Sequence, residues 1–275
     1  MEHKIKKGIL YVALIVLALS CLLPFWLMIV NSTRSGVEIT HSFSFFPGHS
    51  LKDNWIVLFN YVNLFTGFFN SLKVAVPATL LTAYFSAITA YAMAMYEWKG
   101  NSLMFKVIVV FMMIPSQLSL IGFYNLCQKL RLIDSYVPLI VPAIAAPGIV
   151  FFLRQYTKST LSKALLEAAR IDGASEILTF HKIVLPIMSP GIATMSIGAF
   201  IGNWNSYLVP LILLNTPRKM TLPVMISTLN AATDLQKNQG AIYLGVAISV
   251  VPIMIVFSFC SKYIISSISA GGVKE

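Results

Sequence analysis

The sequence contains very little charge. Only 11% of its residues are Asp, Glu, Lys or Arg, whereas 57% are hydrophobic and the mean hydropathy is +0.79. A soluble globular domain carries roughly 25% charged residues. Because the chain has less than half of that share, it lacks the charge needed to cover a water-facing surface. The composition therefore predicts a polytopic membrane protein.

The sequence also lacks the patterns that bind nucleic acid, form disulfides or hold zinc. The net charge is +10, but the cations stand in short patches beside apolar runs, and no basic stripe is interleaved with aromatic residues. We therefore expect no nucleic-acid partner. Cys21, Cys127 and Cys260 are far apart and lie in or beside apolar runs. That placement predicts small packing residues and no disulfide framework or metal site.

Motifs for catalysis and for nucleotide binding are missing as well. The sequence has no GxxxxGK[ST] phosphate loop and no HExxH, GxSxG or CxxC motif. Apart from lysines near their ends, such as Lys73 and Lys106, the long apolar runs carry no Asp, Glu, Lys, Arg or His. Ion-coupled carriers usually need one at membrane depth. These absences predict a chain without catalysis or cofactor, and a transporter of this kind must receive its energy from another polypeptide.

Six apolar runs predict six membrane-spanning helices, which would form one all-α transmembrane domain over residues 1–275. The predicted spans cover residues 9–30, 70–95, 103–126, 136–153, 191–214 and 243–265. The first is too long for a signal-peptide core, so we expect it to be retained. An even number of spans puts both termini on one side. Twelve of the 20 Lys and Arg then fall on the N-terminal side and eight on the other, which predicts cytoplasmic termini.

A polar segment at residues 154–190 interrupts the apolar pattern. It holds five of the 20 Lys and Arg and three of the 10 Asp and Glu. Residues 161–171 predict a short helix that ends at Asp172-Gly173, because glycine tolerates the left-handed conformation at a helix end. We expect one face of this helix to be lined by Leu161, Leu165, Ala168 and Ala169. Ser175 would cap a second helix at residues 176–182. Periodicity leaves open whether this segment is a protruding knob or an amphipathic helix on the membrane surface.

The string Glu167-Ala-Ala-Arg-Ile-Asp-Gly-Ala-Ser175, followed by Phe180, Ile183 and Leu185-Pro186, resembles a family motif. It is similar to the EAA loop of permease subunits in binding-protein-dependent ABC importers, and its Ile-Asp-Gly-Ala-Ser form is similar to the carbohydrate-uptake subfamily. Supporting similarities occur at Asn70-Ser71-Leu72, Met113-Ile114-Pro115, Phe151–Gln155, Trp204-Asn205 and Gly271-Gly272-Val273-Lys274; the last of these resembles the maltose-G-type subunit. The sequence departs from the family's common form at Ser162 and Leu166 beside the EAA motif, and at Glu275 in the C-terminal tail.

This resemblance implies a six-helix type I ABC importer permease in the cell membrane. Its cytoplasmic loop would insert as a coupling helix into a groove of an ATPase dimer. The coupling residues would be Glu167, Ala168, Ala169, Arg170, Asp172, Gly173, Leu185 and Pro186. ATP and magnesium would bind to the ATPase and not to this chain. The other implied partners are a second homologous permease, an extracytoplasmic solute-binding protein and the bilayer.

Polar residues within the apolar runs are candidates for a transport path. Amides can hydrogen-bond sugar hydroxyls and indole rings can stack on sugars, which makes candidates of Asn203, Trp204, Asn205, Gln117 and Asn125. The alternative is that these side chains join helices to one another. The expected function is import of a sugar or oligosaccharide. The alternatives are an ABC permease for amino acids, peptides or ions, an ion-coupled carrier, and a membrane-embedded enzyme.

Overall fold

The computed structural model describes residues 2–231 and 238–272, and within them the chain is helical with no strand. Short 3-10 turns lie at Ser116–Ser119, Val141–Ile144 and Pro217–Lys219, and a π-helical turn lies at Phe180–Val184. The α-helices of the described residues are α1 (Glu2–Ser32), α2 (Gly36–His41), α3 (Leu51–Tyr61), α4 (Leu64–Met95), α5 (Asn101–Met112), α6 (Leu120–Lys129), α7 (Val137–Ile140), α8 (Pro147–Thr160), α9 (Lys163–Ile171), α10 (Glu176–Thr179), α11 (Leu185–Trp204), α12 (Leu208–Leu213), α13 (Leu222–Ala231) and α14 (Gln239–Gly272).

The helices long and apolar enough to cross a membrane agree in number with the predicted spans when one bent pair is counted as a crossing. Five single segments meet this requirement within the described residues: Lys6–Ser32, Leu64–Met95, Val137–Thr160, Glu176–Trp204 and Gln239–Phe259. The bent pair is Asn101–Met112 with Gln117–Lys129, at 86° to each other. The predicted tail motif lies partly outside the described residues, because Val273 and Lys274 are not among them.

Two predicted spans differ from the observed helices. The span predicted at 103–126 is bent beside Pro115, because proline lacks an N–H and disfavours helical backbone in the residue before it. The span predicted at 191–214 begins much earlier, at Glu176, and ends at Trp204. Residues 208–213 form the separate helix α12. Hydropathy marks the apolar part of a helix and does not mark the polar turns that extend it.

One compact unit combines the described residues up to Phe68 with Leu222–Pro252. Its organising polar residue is Asn54, whose amide donates to the carbonyls of Ser32 (2.8 Å) and Arg34 (2.9 Å). The bond to Ser32 satisfies a backbone acceptor at the C-terminal end of α1, which has no partner within the helix, and the bond to Arg34 holds the chain just beyond it. The buried apolar residues of this unit include Val30, Leu58, Leu64, Leu222, Val224, Leu229 and Ala241.

The second compact unit comprises Phe69–Thr221 and the described residues from Ile253 onward. Its main buried cluster joins the C-terminal part of α4 to α8, α9 and α11. The members are Ala87, Ala90, Tyr91, Leu153, Leu161, Leu166, Phe180, Val184 and Met188. Residues of the polar segment are therefore part of this core, and they pack against two of the long apolar helices.

Candidate functional site

The polar segment folds into α9, a glycine turn and α10. Helix α9 ends at Ile171, and Gly173 has a φ of +78°. The N–H of Gly173 donates to the carbonyl of Arg170, and that of Ala174 donates to the carbonyl of Ala169, each at 3.0 Å. This pair of bonds is the Schellman arrangement, in which a left-handed residue closes a helix. The turn expected at Asp172-Gly173 is therefore present. We call residues 161–179 the coupling loop, because they are part of the segment 154–190 for which the family resemblance implies a coupling role.

Ser175 begins α10 as the sequence predicted, but α10 is not a separate short helix. The Ser175 hydroxyl accepts a hydrogen bond from the N–H of Leu178 at 3.3 Å. Beyond Thr179 the chain continues through the π-helical turn directly into α11. The predicted helix at 176–182 is thus the first part of the long apolar segment. The π-helical turn lies beside Pro186, whose missing N–H interrupts the α-helical ladder.

The buried face of α9 differs from the predicted one. Leu161, Leu166 and Ala169 are buried, whereas Leu165 and Ala168 are exposed. Leu165 and Ala168 share their side of the helix with Ile171, which is 86% exposed. The helix begins at Lys163 rather than at residue 161, and tertiary packing selects the 166/169 pair. An apolar strip along residues 165, 168 and 171 is left facing outward.

Glu167 borders a pocket of about 240 Å³ between α9 and the end of α4. The pocket is lined by Met95, Tyr96, Glu97, Lys163, Leu166, Glu167 and Arg170. Across it, Lys163 Nζ lies 2.6 Å from Glu97 Oε1. The hydrogen bond from Lys163 lowers the pKa of the Glu97 carboxyl and raises the pKa of the lysine. Glu167 itself is exposed, as a contact with another chain requires.

A polar network ties the coupling loop to α4. Glu176 receives hydrogen bonds from Arg170 Nε, at 2.8 Å, and from the Tyr96 hydroxyl. The Tyr96 hydroxyl lies 3.1 Å from that of Tyr91, and the Arg170 guanidinium stands over the Tyr96 ring at 5.5 Å. Sequence reasoning assigned Arg170 to the loop but missed Tyr96 and Glu176. The adjacent Tyr96-Glu97 pair at the end of an apolar run was the available signal.

Leu185 and Pro186 lie at the start of α11. Leu185 is half-buried and packs against the cluster that contains Phe180 and Val184, whereas Pro186 is exposed in the first turn. Leu185 therefore contributes apolar contacts between the coupling loop and α11. Pro186 contributes the local change in helix geometry described above.

Of the five residues suggested for a transport path, only Asn203 lines the cavity found beside the end of α11. Asn203 lines a cavity of about 310 Å³, and its amide lies 3.4 Å from the hydroxyl of Thr79. Trp204 is 1% exposed and stacks on Phe200 at 5.8 Å, so its ring is part of the core. Asn205 is exposed at the break after α11. Gln117 and Asn125 are exposed on the bent α5–α6 segment, outside that cavity's lining.

The cavity lies where several helices are broken. Its lining is mainly apolar and includes three prolines, with Ser119, Asn203 and Ser206 as the polar members; the full set is Val74, Ser119, Leu120, Phe123, Pro138, Leu139, Pro142, Ala143, Asn203, Ser206, Val209 and Pro210. The span predicted at 191–214 would place Asn203, Trp204, Asn205 and the polar Ser206-Tyr207 pair midway along a helix. These residues lie instead at the end of α11, where backbone groups leave the helical ladder.

Asp134 links two chain segments near this cavity. Sequence reasoning did not single it out. Its carboxylate accepts bonds from the backbone N–H groups of Asn215 and Thr216, and it lies 2.9 Å from Lys219 Nζ. Bonds from Lys219 and Thr216 hold the pKa of Asp134 far below its usual range. Asp134 and Arg131 both have positive φ values, 59° and 56°. The carboxylate thus ties the α6–α7 connection to the segment that follows α12.

Among the described residues, no group of three or more His, Cys, Asp or Glu side chains is arranged to hold a metal ion.

Comparison with known proteins identifies relatives of the whole chain. Residues 83–269 match the family described as "binding-protein-dependent transport system inner membrane component". The arabinooligosaccharides transport system permease protein AraQ of Halalkalibacterium halodurans is 36% identical, over 94% of this chain and 93% of the relative. The trehalose/maltose transport system permease protein MalG of Thermococcus litoralis is 30% identical over 99% of each chain. The lactose transport system permease protein LacG of Rhizobium radiobacter is 28% identical over 94% of this chain and 93% of its own.

A solved structure shares the fold. It is described as the crystal structure of a bacterial ABC transporter involved in the import of the acidic polysaccharide alginate. The matched chain superposes with a TM-score of 0.80, covering 96% of this chain and 98% of that one at 23% identity. At that identity the likeness concerns the fold alone.

Proposed function

This chain belongs to the family of inner-membrane components of binding-protein-dependent transport systems, and we propose that it admits a sugar or oligosaccharide to the cell. Relatives from three organisms carry names for arabino-oligosaccharide, lactose and trehalose or maltose transport. The same substrate class is therefore our proposal for this chain. It is a multi-pass permease subunit and carries no catalytic role.

The observation that supports energy coupling is the outward face of the coupling loop. Ile171 is 86% exposed and Ile177 is 74% exposed, and Ala168 and Glu167 are exposed as well. Burying an isoleucine fully in a partner's groove is worth roughly 1.5–3 kcal/mol. The small Ala168 permits close approach, and Glu167 offers a directional polar contact. We propose that a cytoplasmic ATPase dimer receives this face, and that it binds the ATP and magnesium.

The inward face of the loop supports a path for transmitting movement. Leu166, Phe180 and Val184 are buried with residues of α4 and α8. The bond from Tyr96 to Glu176 fixes the loop to the end of α4 as well. A displacement of the coupling loop would therefore move α4, α8 and α11 together, because close-packed interiors transmit strain.

The remaining partners and the orientation complete the proposal. Both termini and the coupling loop would lie in the cytoplasm, and residues 1–275 would form one transmembrane domain. A second homologous permease would complete the transport path. An extracytoplasmic solute-binding protein would deliver the sugar to parts of the outer segments near residues 31–68 and 215–240, of which residues 232–237 lie outside the described part of the chain. Within this chain, the cavity beside Asn203 is the proposed contribution to the path.

Replacing Glu167 with alanine tests the coupling role. The complex should be reconstituted in proteoliposomes with its binding protein, and three quantities measured: sugar uptake, ATP hydrolysis and co-purification of the ATPase. We expect the variant to insert normally but to lose uptake, because the exposed carboxylate no longer contacts the ATPase. Lys158→Ala, on exposed α8 surface outside the loop, is the matched control. Full uptake by the Glu167 variant would contradict the assignment.

Substrate class needs a separate measurement. The binding protein should be screened by thermal shift against mono- and oligosaccharides, amino acids and peptides, and its ligand used in the uptake assay. We expect stabilisation by a saccharide. Stabilisation by an amino acid or peptide alone would overturn the sugar proposal and leave the coupling proposal standing.

A further inference from the structure

The segment that follows α2 presents three phenylalanines on the surface within four residues. Phe43, Phe45 and Phe46 are 70%, 48% and 79% exposed. Residues 42–47, which we call the phenylalanine turn, include no Asp, Glu, Lys or Arg. Contiguous exposed apolar surface of this kind marks a contact with protein or membrane.

Hydrogen bonds at both ends of the phenylalanine turn fasten it to the end of α1. The Arg34 guanidinium is buried and donates to the carbonyls of Glu38 (2.8 Å) and Ser42 (2.7 Å). At the other end, the N–H of Gly48 donates to the Thr33 hydroxyl at 2.8 Å. Both ends of the turn therefore lie beside Thr33 and Arg34.

The middle of the phenylalanine turn is bound at a different level of α1. The indole N–H of Trp26 donates to the carbonyl of Phe45 at 3.0 Å. Trp26 lies six residues before the end of α1 at Ser32, and the two end anchors follow directly, which puts about 10 Å between them at 1.5 Å per helical residue. Three extended residues span the same distance of about 10 Å. The turn thus runs back along the side of α1 and returns, instead of projecting away from the helix end.

Counting residues along α1 places that level at the edge of the hydrocarbon layer. About 20 residues span its 30 Å, and counting from Gly8, after the last lysine of the N-terminal cluster, brings the far edge close to Trp26. Tryptophan is enriched at this boundary because its ring is apolar and its N–H is polar. Around Trp26, α1 continues the same surface with Leu22, Phe25 and Ile29, all exposed.

We propose that the phenylalanine turn is a lipid anchor, which inserts its rings at the boundary between headgroups and acyl chains at the far end of α1. Its continuity with the apolar surface of α1, its level beside Trp26 and its lack of charge favour phospholipid over a water-facing partner. The inference rests on α1 crossing the membrane and does not depend on the transported solute.

Nitroxide labels in the assembled importer, embedded in phospholipid nanodiscs, test the anchor. Cys21, Cys127 and Cys260 are replaced with alanine, and one label is attached at Phe46→Cys or at the control Val37→Cys. Val37 is similarly exposed, at 66%, but lies on α2 beyond the end of α1. Accessibility to oxygen, which concentrates in lipid, is compared with accessibility to a water-soluble nickel chelate. We expect a ratio of oxygen to nickel accessibility several-fold higher at position 46 than at position 37.

Each other outcome overturns the anchor. Equal nickel accessibility at both positions means that the turn faces water. Low accessibility to both reagents at position 46 means that protein covers it, and protection that appears only with added binding protein identifies that protein as the occupant. A second variant, Trp26→Phe, keeps an aromatic ring at this position and removes the N–H that donates to Phe45. We expect the ratio at position 46 to fall toward that at position 37, and an unchanged ratio contradicts the role of the hydrogen bond.

Discussion

Replacing Gly173 with alanine isolates the conformation of the coupling loop from its surface chemistry. Gly173 has a φ of +78°, and a Cβ added there would meet no atom within 4 Å. The substitution therefore causes no steric clash. Its free-energy cost is that of placing an L-residue in the left-handed region, about 1–2 kcal/mol. One or two kcal/mol corresponds to a factor of roughly 5–30 in an equilibrium. We expect the population of loops able to engage the ATPase to fall by about that factor.

A series at position 173 separates the backbone effect from other effects. Asparagine tolerates the left-handed conformation better than alanine, and β-branched valine tolerates it worst. Uptake per ATP hydrolysed should therefore decrease in the order Gly, Asn, Ala, Val in the reconstituted importer. Gly198→Ala is the matched control, because Gly198 lies within α11 and its added Cβ would also meet no atom within 4 Å. That change should leave coupling intact.

Two results would refute the reasoning about Gly173. If the alanine and valine variants couple as well as the wild type, the left-handed turn is not needed for engagement. If asparagine impairs coupling as much as valine does, the backbone conformation is not the cause. In that case the added side chain itself disturbs the contact with the ATPase.

Two further substitutions test the packing around α1 and the tie between the loop and α4. Gly240→Ala would place a Cβ 2.1 Å from the backbone oxygen of Arg34 and displace the Asn54 amide, which would lower the free energy of unfolding by about 2–4 kcal/mol. We expect a lower Tm than in Gly245→Ala, where the added Cβ would have its nearest contact at an ordinary 3.4 Å. Equal Tm values would contradict this packing. Tyr96→Phe removes the donor to Glu176 at a cost of about 0.5–1 kcal/mol after solvent screening. We expect this variant to hydrolyse more ATP per sugar imported than the control Tyr124→Phe, whose tyrosine lies on α6. An unchanged ratio would exclude a role of Tyr96 in coupling.

The local chemistry of the coupling loop could be predicted because single residues determine it. A glycine that follows a short amphipathic pattern predicts a left-handed helix end, and Gly173 has one. A serine before Glu176 predicts an N-cap, and Ser175 provides it. The buried face of α9 could not be predicted in the same way. Leu165 and Leu166 fit a helical face equally well, and only the neighbouring helices decide which one is buried.

Hydropathy predicted the apolar segments but not their breaks. Pro115 disrupts a helix where the sequence pattern continues without interruption, whereas Pro77 lies within the continuous α4. Whether a membrane helix tolerates a proline depends on neighbours that satisfy the freed backbone groups. These neighbours are set by the tertiary structure, so the sequence pattern does not predict them. The same holds for Asn203 and Trp204, adjacent polar candidates of which one borders a cavity and the other belongs to the core.

The relative strength of its contacts indicates how the coupling loop would transmit movement. The pairs Lys163–Glu97 and Arg170–Glu176 are largely exposed, so solvent screens them and they add little stability. Buried side chains such as Leu166 and Phe180 each contribute roughly 1.5–3 kcal/mol through lost contact with water. Packing must therefore make the loop move with its helices. The directional polar contacts instead fix the angle at which the loop meets α4, and their loss should alter coupling before it alters stability.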